Sequence, residues 1–267
     1  MGRRLLSRRM LVLHVAVLVI APTCVRLGFW QLDRLEQRRA FNALVRSRAA
    51  AAAAPVARLV PAGAEVRPEA VAYRRALARG AYDPSHEFLL FGRSFQGLPG
   101  SHVLTPLLLP DGRALVVDRG WVPLEVDDPS DLPAAGAEAP AGRVAVEGIL
   151  LPPGSDEPAS GPRMEEVSLR TVAARVPYPL LPVYLELRSQ DPPPGELPRP
   201  ALPPELTEGP HLSYAVQWFL FAGVAVAVYG ALVRRELRAG SAPRPGNAAP
   251  ARAGRSAGVD QASGGAG

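Results

Sequence analysis

Residues 212–233 read LSYAVQWFLFAGVAVAVYGALV and contain no charged side chain. An α-helix rises about 1.5 Å per residue, so this stretch would be roughly 33 Å long. The hydrocarbon layer of a bilayer is about 30 Å thick. The stretch is therefore predicted to be a transmembrane helix, and the rest of the architecture follows from where a second such stretch lies.

A second apolar run, MLVLHVAVLVIAPTCVRL at residues 10–27, follows a basic start that includes Arg8 and Arg9. This combination is found in signal peptides and in uncleaved membrane anchors. A signal peptide needs small residues at a cleavage site, but the run continues into GFWQLDRLEQRR at residues 28–39, which is bulky and helical in pattern. We therefore expect an uncleaved transmembrane helix here.

The distribution of charge predicts the orientation of both helices. All 30 basic residues are arginine, against 25 acidic residues. Arginine is concentrated in residues 1–9 and 234–267, whereas residues 31–210 carry 19 arginines and 23 acidic residues. By the positive-inside rule, both termini are expected in the cytoplasm and the acidic middle outside it. The high isoelectric point then reflects topology, and we expect no nucleic-acid partner.

Composition excludes several kinds of site. The single cysteine, Cys24, rules out an intrachain disulfide and a zinc–thiolate cluster. Lysine is absent from the sequence, which rules out Schiff-base chemistry and a P-loop. Cys24 itself lies in the first apolar run and is expected to be a small apolar side chain.

Between the two apolar runs, short apolar segments alternate with turns rich in proline and glycine, which is the pattern of β-strands. Ala114–Pro123 (ALVVDRGWVP) is the strongest strand, and Pro110-Asp111-Gly112 before it is typical of a hairpin turn. Arg143–Leu151 is another strand. About five to seven strands and one short helix are expected.

The predicted fold class is a membrane protein in which two transmembrane α-helices flank a mostly-β extracytoplasmic domain of α+β type, built as a small barrel or a sandwich-like sheet. The predicted boundaries are residues 1–9 for a cytoplasmic N-terminus, 10–30 for the first transmembrane helix, 31–54 for a helical extension, 55–190 for the β-rich domain, 191–210 for a Pro-rich tether, 211–233 for the second transmembrane helix and 234–267 for a disordered cytoplasmic tail.

His211 stands just before the second apolar run, at the expected outer boundary of the membrane. It is either an interfacial polar residue that begins the helix or a ligand of a flat, apolar metal cofactor, since imidazole is the usual protein ligand of heme iron. In the second case Tyr214 and Trp218 would pack against the ring, and Arg26 would face a propionate. His14 lies near the opposite membrane face and is not expected to share a metal with His211.

Two further groups of residues have alternative explanations. Trp30, Gln31 and Arg34 follow the first apolar run and form either an aromatic belt with a snorkelling arginine or a contact surface for a membrane partner. In the strongest strand, the charges of Asp118 and Arg119 interrupt an apolar run. They form either a structural ion pair beside a glycine bulge or, for Arg119, a partner contact.

Five short motifs, in one order along the chain, resemble the Surfeit locus 1 family. The first is GFWQLDR at residues 28–34 with Arg38, which is similar to the family's GxWQxxRxxxK segment although arginine stands where the family usually has lysine. The others are YRR (73–75) with GAYD (80–83), LTPL (104–107), VDRGWVP (117–123) and HLSYAVQWF (211–219). Pro210 stands where many members have asparagine, and residues 125–205 match little.

The resemblance implies a non-enzymatic assembly factor for cytochrome c oxidase of the aa3 type, in the plasma membrane of a bacterium. It implies that the protein helps to deliver heme a to oxidase subunit I, together with other assembly factors, and that His211 is the axial ligand. A cofactor-free structural partner of the oxidase subunits is the alternative. A membrane-anchored hydrolase is a remote one, because Ser101 and His102 are strand neighbours and point to opposite faces.

Overall fold

The computed structural model describes residues 7–155, 157, 159, 161–203 and 205–241. The first six residues and the predicted tail from residue 242 onward lie outside the described residues. Five α-helices occur in the described part: α1 (Arg8–Ala50), α2 (Val56–Leu59), α3 (Pro68–Val71), α4 (Leu169–Ala173) and α5 (His211–Ser241). The chain divides into two units, one containing the helical residues up to Leu32 and from Pro210 on, the other Asp33–Gly209.

Two helices, Arg8–Ala50 and His211–Arg238, are long and apolar enough to cross a membrane. α1 joins the first predicted span and its extension in one helix of 43 residues, and it ends at Ala50 rather than at residue 54. α5 continues to Ser241, past the predicted end at residue 233. The extra turns begin with residues 234–238 (RREL and Arg238), which are good helix formers.

The first unit is held together by small residues where α1 and α5 meet. Gly28 lies against the ring of Phe219, where an added Cβ would be 2.6 Å from the nearest ring carbon. Ala215 and Cys24 are also buried. Small residues allow two helices to approach closely, which is the usual basis of helix association in membranes.

The second unit contains an eight-stranded sheet. Its strands are β1 (Ala54–Pro55), β2 (Arg75–Tyr82), β3 (Phe88–Phe95), β4 (Leu98–Leu108), β5 (Ala114–Pro123), β6 (Arg143–Leu151), β7 (Arg163–Met164) and β8 (Leu180–Asp191). Their order is β1-β2-β6-β8-β5-β4-β3-β7. Most neighbours are antiparallel, but β8 pairs in parallel with β5. A mostly-β domain between two apolar helices is therefore confirmed.

The pairing also returns on itself. Ala81 and Tyr82 of β2 pair with Leu108 and Leu107 of β4, so β2, β6, β8, β5 and β4 each have two neighbours in a cycle. Fully buried side chains from these strands form the hydrophobic core of the domain, among them Leu107, Leu115, Val117, Leu150 and Leu185.

The predicted Pro-rich tether, residues 191–210, is hydrogen-bonded to the β-rich domain at Arg199. Trp121 of β5 exchanges both backbone hydrogen bonds with Arg199, at 2.7 and 2.9 Å. Proline in this segment removes some backbone donors, but Arg199 keeps its N–H and can pair with a strand end.

Candidate functional site

His211 is the first residue of α5, and the chain before it defines where the helix starts. Pro210 lacks the N–H that an earlier helical turn would need, and its carbonyl accepts a hydrogen bond from the Tyr214 N–H at 3.1 Å. The same carbonyl accepts the Ser213 hydroxyl at 2.8 Å. The imidazole is thereby placed at a fixed helix terminus.

The imidazole of His211 bonds to Gln31 of α1. Its Nδ1 lies 2.9 Å from Gln31 Oε1. An amide oxygen only accepts hydrogen bonds, so Nδ1 is the donor in this contact, and in the neutral imidazole the lone pair is then on Nε2. Histidines that bind a metal usually donate their other ring N–H to an acceptor of this kind. The donor set therefore fits an iron-centred cofactor with one histidine ligand.

The other predicted cofactor residues differ in their surroundings. Tyr214 and Trp218 follow His211 at positions three and seven along α5 and so share its face of the helix. Tyr214 is 47 % exposed, while Trp218 is partly buried and packs edge-to-face on Phe221 with ring centroids 5.9 Å apart. Arg26 is exposed on α1. Their roles toward a cofactor stay predictions.

The predicted partner-contact residues separate into two kinds. Trp30 is 51 % exposed, and Arg34 is exposed with its Nη1 donating to Gln37 Oε1 at 3.0 Å. Both remain available to a partner. Gln31 is instead the residue that orients His211, a role that the sequence analysis missed. The signal was its position: Gln31 follows the first apolar run and His211 precedes the second, so an antiparallel pair of helices brings them level.

The predicted partner contact of Arg119 is wrong, because its side chain lies inside the domain. Arg119 is 2 % exposed, its Nη1 lies 3.0 Å from Glu87 Oε1, and its Nη2 donates to the Glu138 carbonyl at 2.7 Å. The structural ion pair is thus the correct alternative, with Glu87 as the partner rather than Asp118. Burial lowers the pKa of Arg119 and raises the pKa of Glu87, although Thr105 and Arg119 oppose the second effect.

Asp118 forms a different pair. Its Oδ2 lies 2.9 Å from His102 Nδ1, and its Oδ1 accepts the Gly120 N–H at 3.0 Å. The neighbouring Ser101 is buried and forms no hydrogen bond with a histidine among the described residues. The nucleophile–base contact that a Ser101 hydrolase would need is therefore not present in the described part of the chain.

The chain matches known proteins over most of its length. A family model described as the SURF1 family matches residues 18–223. A SURF1-like protein of Monosiga brevicollis is 26 % identical over 243 residues, covering 84 % of this chain and 88 % of the relative. A SURF1-like protein of Mycobacterium tuberculosis is 28 % identical over 253 residues, covering 89 % of each.

The matched region begins within α1, contains the whole sheet and ends within α5. It therefore includes both halves of the His211–Gln31 pair. The Surfeit locus 1 family that the five motifs resemble is this same family, so the resemblance is confirmed. Because the match covers well over half of the sequence, the chain belongs to the SURF1 family, whose members are known broadly as oxidase assembly factors.

Proposed function

We propose that the protein is a multi-pass protein of the bacterial plasma membrane that assists the assembly of cytochrome c oxidase and catalyses no reaction itself. The arginine-rich ends favour cytoplasmic termini with the β-rich domain outside. α1 and α5 have the length and composition of the two spans. The cycle of five paired strands supports a small barrel for the outer domain.

We further propose that the protein holds heme a through His211 before the heme is inserted into oxidase subunit I. When bound, heme supplies an iron atom with an axial position that an imidazole nitrogen occupies. His211 offers Nε2 for that position, and Gln31 keeps the imidazole in the required tautomer. Tyr214 and Trp218 would cover the ring, and Arg26 would pair with a propionate. The hydrogen bond between His211 and Gln31 carries this proposal.

The partner proposal rests on two exposed side chains next to the site. Trp30 and Arg34 stay accessible at the end of the apolar part of α1. Aromatic residues and arginine are enriched at protein interfaces. We propose that they contact subunit I or another assembly factor.

The heme proposal is tested by absorption spectroscopy. The protein is co-expressed with the enzymes of heme a synthesis and purified in detergent, where we expect a Soret band. His211→Ala should abolish the band and Gln31→Ala should weaken it, whereas Gln31→Glu keeps an acceptor and should retain it. His14→Ala is the matched control, because His14 lies on α1 beside Tyr229 rather than at the site. A colourless wild-type protein under these conditions would reject heme binding.

The assembly proposal is tested separately in a deletion strain. We expect less assembled cytochrome c oxidase, restored by the wild-type gene. Normal oxidase in the deletion strain would reject an assembly role. Full restoration by His211→Ala would instead support the cofactor-free structural partner.

A further inference from the structure

The connection between β5 and β6 is strongly acidic. We call residues 124–142 the acidic loop; it contains five acidic residues and no basic residue. The loop is packed onto the sheet, because its Val126, Leu132 and Ala137 are buried in one cluster with apolar side chains of β3, β4 and β5. The backbone that carries the carboxylates is therefore held in place on the domain.

A pocket of about 570 Å³ lies beside the acidic loop. It is lined by three residues with carboxylates, Glu87, Asp128 and Glu138, and by four prolines, of which Pro129 and Pro133 belong to the loop. Ligand pockets in proteins have volumes of this order. Negative charge beside apolar walls is the complement of a long cationic side chain, which has an apolar stem and a charged end.

Glu87 is the buried carboxylate of this pocket, and one of its oxygens is free to accept. Its side chain is 5 % exposed. The Arg119 guanidinium and the Thr105 hydroxyl both donate to Oε1, at 3.0 and 2.7 Å. Oε2 accepts no hydrogen bond from any residue that the structure describes. Because buried polar groups are normally hydrogen-bonded, Oε2 is an acceptor for a donor that enters the pocket.

The positive charges near the pocket are already paired. Arg119 is balanced by the buried carboxylate, and Arg163 lies 4.0 Å from Asp127. Asp128 and Glu138 are exposed and form no ion pair within the described part of the chain. The pocket therefore keeps a net negative charge that a cationic ligand can neutralise.

We propose that this pocket is a docking site for an arginine side chain of a partner protein. The guanidinium donates to Glu87 Oε2 and to the carboxylates of Asp128 and Glu138, while the stem packs on the proline rings. Arginine suits the site better than lysine, because its planar guanidinium is weakly hydrated and presents several N–H donors at once. The inference concerns the β-rich domain alone and does not depend on His211 or on heme.

The test follows binding to the full-length protein in detergent by fluorine NMR. Ser85 lines the pocket, so Ser85→Cys is labelled with a trifluoromethyl group in a Cys24→Ala background. The probe is a blocked peptide with one arginine between glycines, and the same peptide with citrulline is its uncharged reference. We expect a saturable shift in the millimolar range with arginine and none with citrulline, since one partly solvated ion pair gives modest affinity. A label at Ser94→Cys, exposed on β3 and outside the pocket, should not respond.

Charge-removing variants then locate the site. Glu138→Gln and Asp128→Asn should each weaken binding about two- to fivefold, and the asparagine can still cap the turn that Asp128 begins. Glu125→Gln is the matched control, because Glu125 is exposed on the same loop but does not line the pocket, and it should keep the wild-type affinity. Glu87→Gln keeps an oxygen for Arg119 and turns an amide donor toward the pocket, so it should weaken binding about tenfold. If this variant fails to fold, the two exposed positions still decide the question.

Three results would overturn the inference. The first is the lack of a saturable shift with the arginine peptide, or an equal shift with citrulline. The second is equal weakening by Glu125→Gln and Glu138→Gln, which would mean unspecific attraction to the acidic loop. The third is tighter binding of spermidine than of the arginine peptide, which would assign the pocket to a small polycation instead of a partner protein. A colourless wild-type protein or normal oxidase in the deletion strain would reject the proposals above without changing these measurements.

Discussion

Replacing Arg119 with methionine removes the cation from a pair whose side chains are 2 % and 5 % exposed. The change leaves the Glu87 carboxylate buried with the Thr105 hydroxyl, 2.7 Å away, as its remaining side-chain donor. It also removes the bond to the Glu138 carbonyl. Breaking one side of a buried ion pair destabilises a protein by about 3–5 kcal/mol, so we expect Arg119→Met to lower the free energy of unfolding by about that amount near neutral pH.

The expected loss depends on pH in a defined direction. Burial already raises the pKa of Glu87, and Arg119 is one of the groups that hold it down, so the variant raises it further. A raised folded-state pKa means that the protonated carboxyl is the better-tolerated form in the fold. The deficit of Arg119→Met is therefore largest above that pKa and shrinks as the pH falls through it, toward about 1–2 kcal/mol for the lost hydrogen bonds.

Unfolding is followed in urea on the full-length protein in detergent. With Trp30→Phe and Trp218→Phe in the background, the fluorescence of the buried Trp121 reports the sheet alone. In a Glu87→Gln background the effect of Arg119→Met should no longer vary with pH, because the titrating carboxyl is gone. A loss below about 1 kcal/mol, or a loss of the same size at neutral pH and at the most acidic pH at which the wild-type protein is still folded, would refute the buried-pair explanation.

Two further predictions follow from individual contacts. Gly28→Leu forces side-chain carbons against the Phe219 ring, and such overpacking costs about 1–3 kcal/mol, so we expect a lower thermal midpoint of the helices, followed by circular dichroism in detergent. Gly223→Leu is the control and should keep the wild-type midpoint, because no atom of another element lies within 4 Å of a Cβ added at Gly223. Equal midpoints for the two variants would reject the close helix contact at Gly28. Burial favours a higher pKa for Asp83, but hydrogen bonds from Tyr178 and His86 outweigh it and the net pKa is lowered. The ionised Asp83 carboxylate therefore stabilises the fold above its unfolded-state pKa, and this contribution is lost as the pH falls through its folded-state pKa. We expect Asp83→Asn to weaken the fall of the thermal midpoint with decreasing pH. Wild-type and variant midpoints that fall in parallel on the acid side would contradict this.

Local sequence signals predicted a strand well where the strand's own residues and its flanking turns determine its bounds. β5 and β6 begin and end at the predicted residues, because each is a continuous or alternating apolar run bounded by turn residues. The hairpin between β4 and β5 follows from Pro110-Asp111-Gly112 in the same way. The long apolar runs of α1 and α5 were equally predictable, since an uncharged stretch of that length has few alternatives.

Pairings between distant residues were not predictable from local patterns. Arg119 and Glu87 are 32 positions apart, and neither residue type indicates which buried charge it will meet. Gln31 and His211 are 180 positions apart, and only the antiparallel arrangement of two helices brings them level. His211 was therefore predictable as a site residue from the sequence, whereas its hydrogen-bond partner Gln31 was recognised only from the tertiary contact between the two helices.

The position of β8 has a consequence for how the domain is made. β8 is the last strand among the described residues, yet it lies between β6 and β5 and is hydrogen-bonded to both. Until residues 180–191 have been synthesised, two strands that will form the middle of the sheet keep open edges, and open edges invite wrong pairing. A nascent or truncated chain that stops before Leu180 is thus an incomplete sheet rather than a smaller domain, and we expect cellular proteases to remove such products whole.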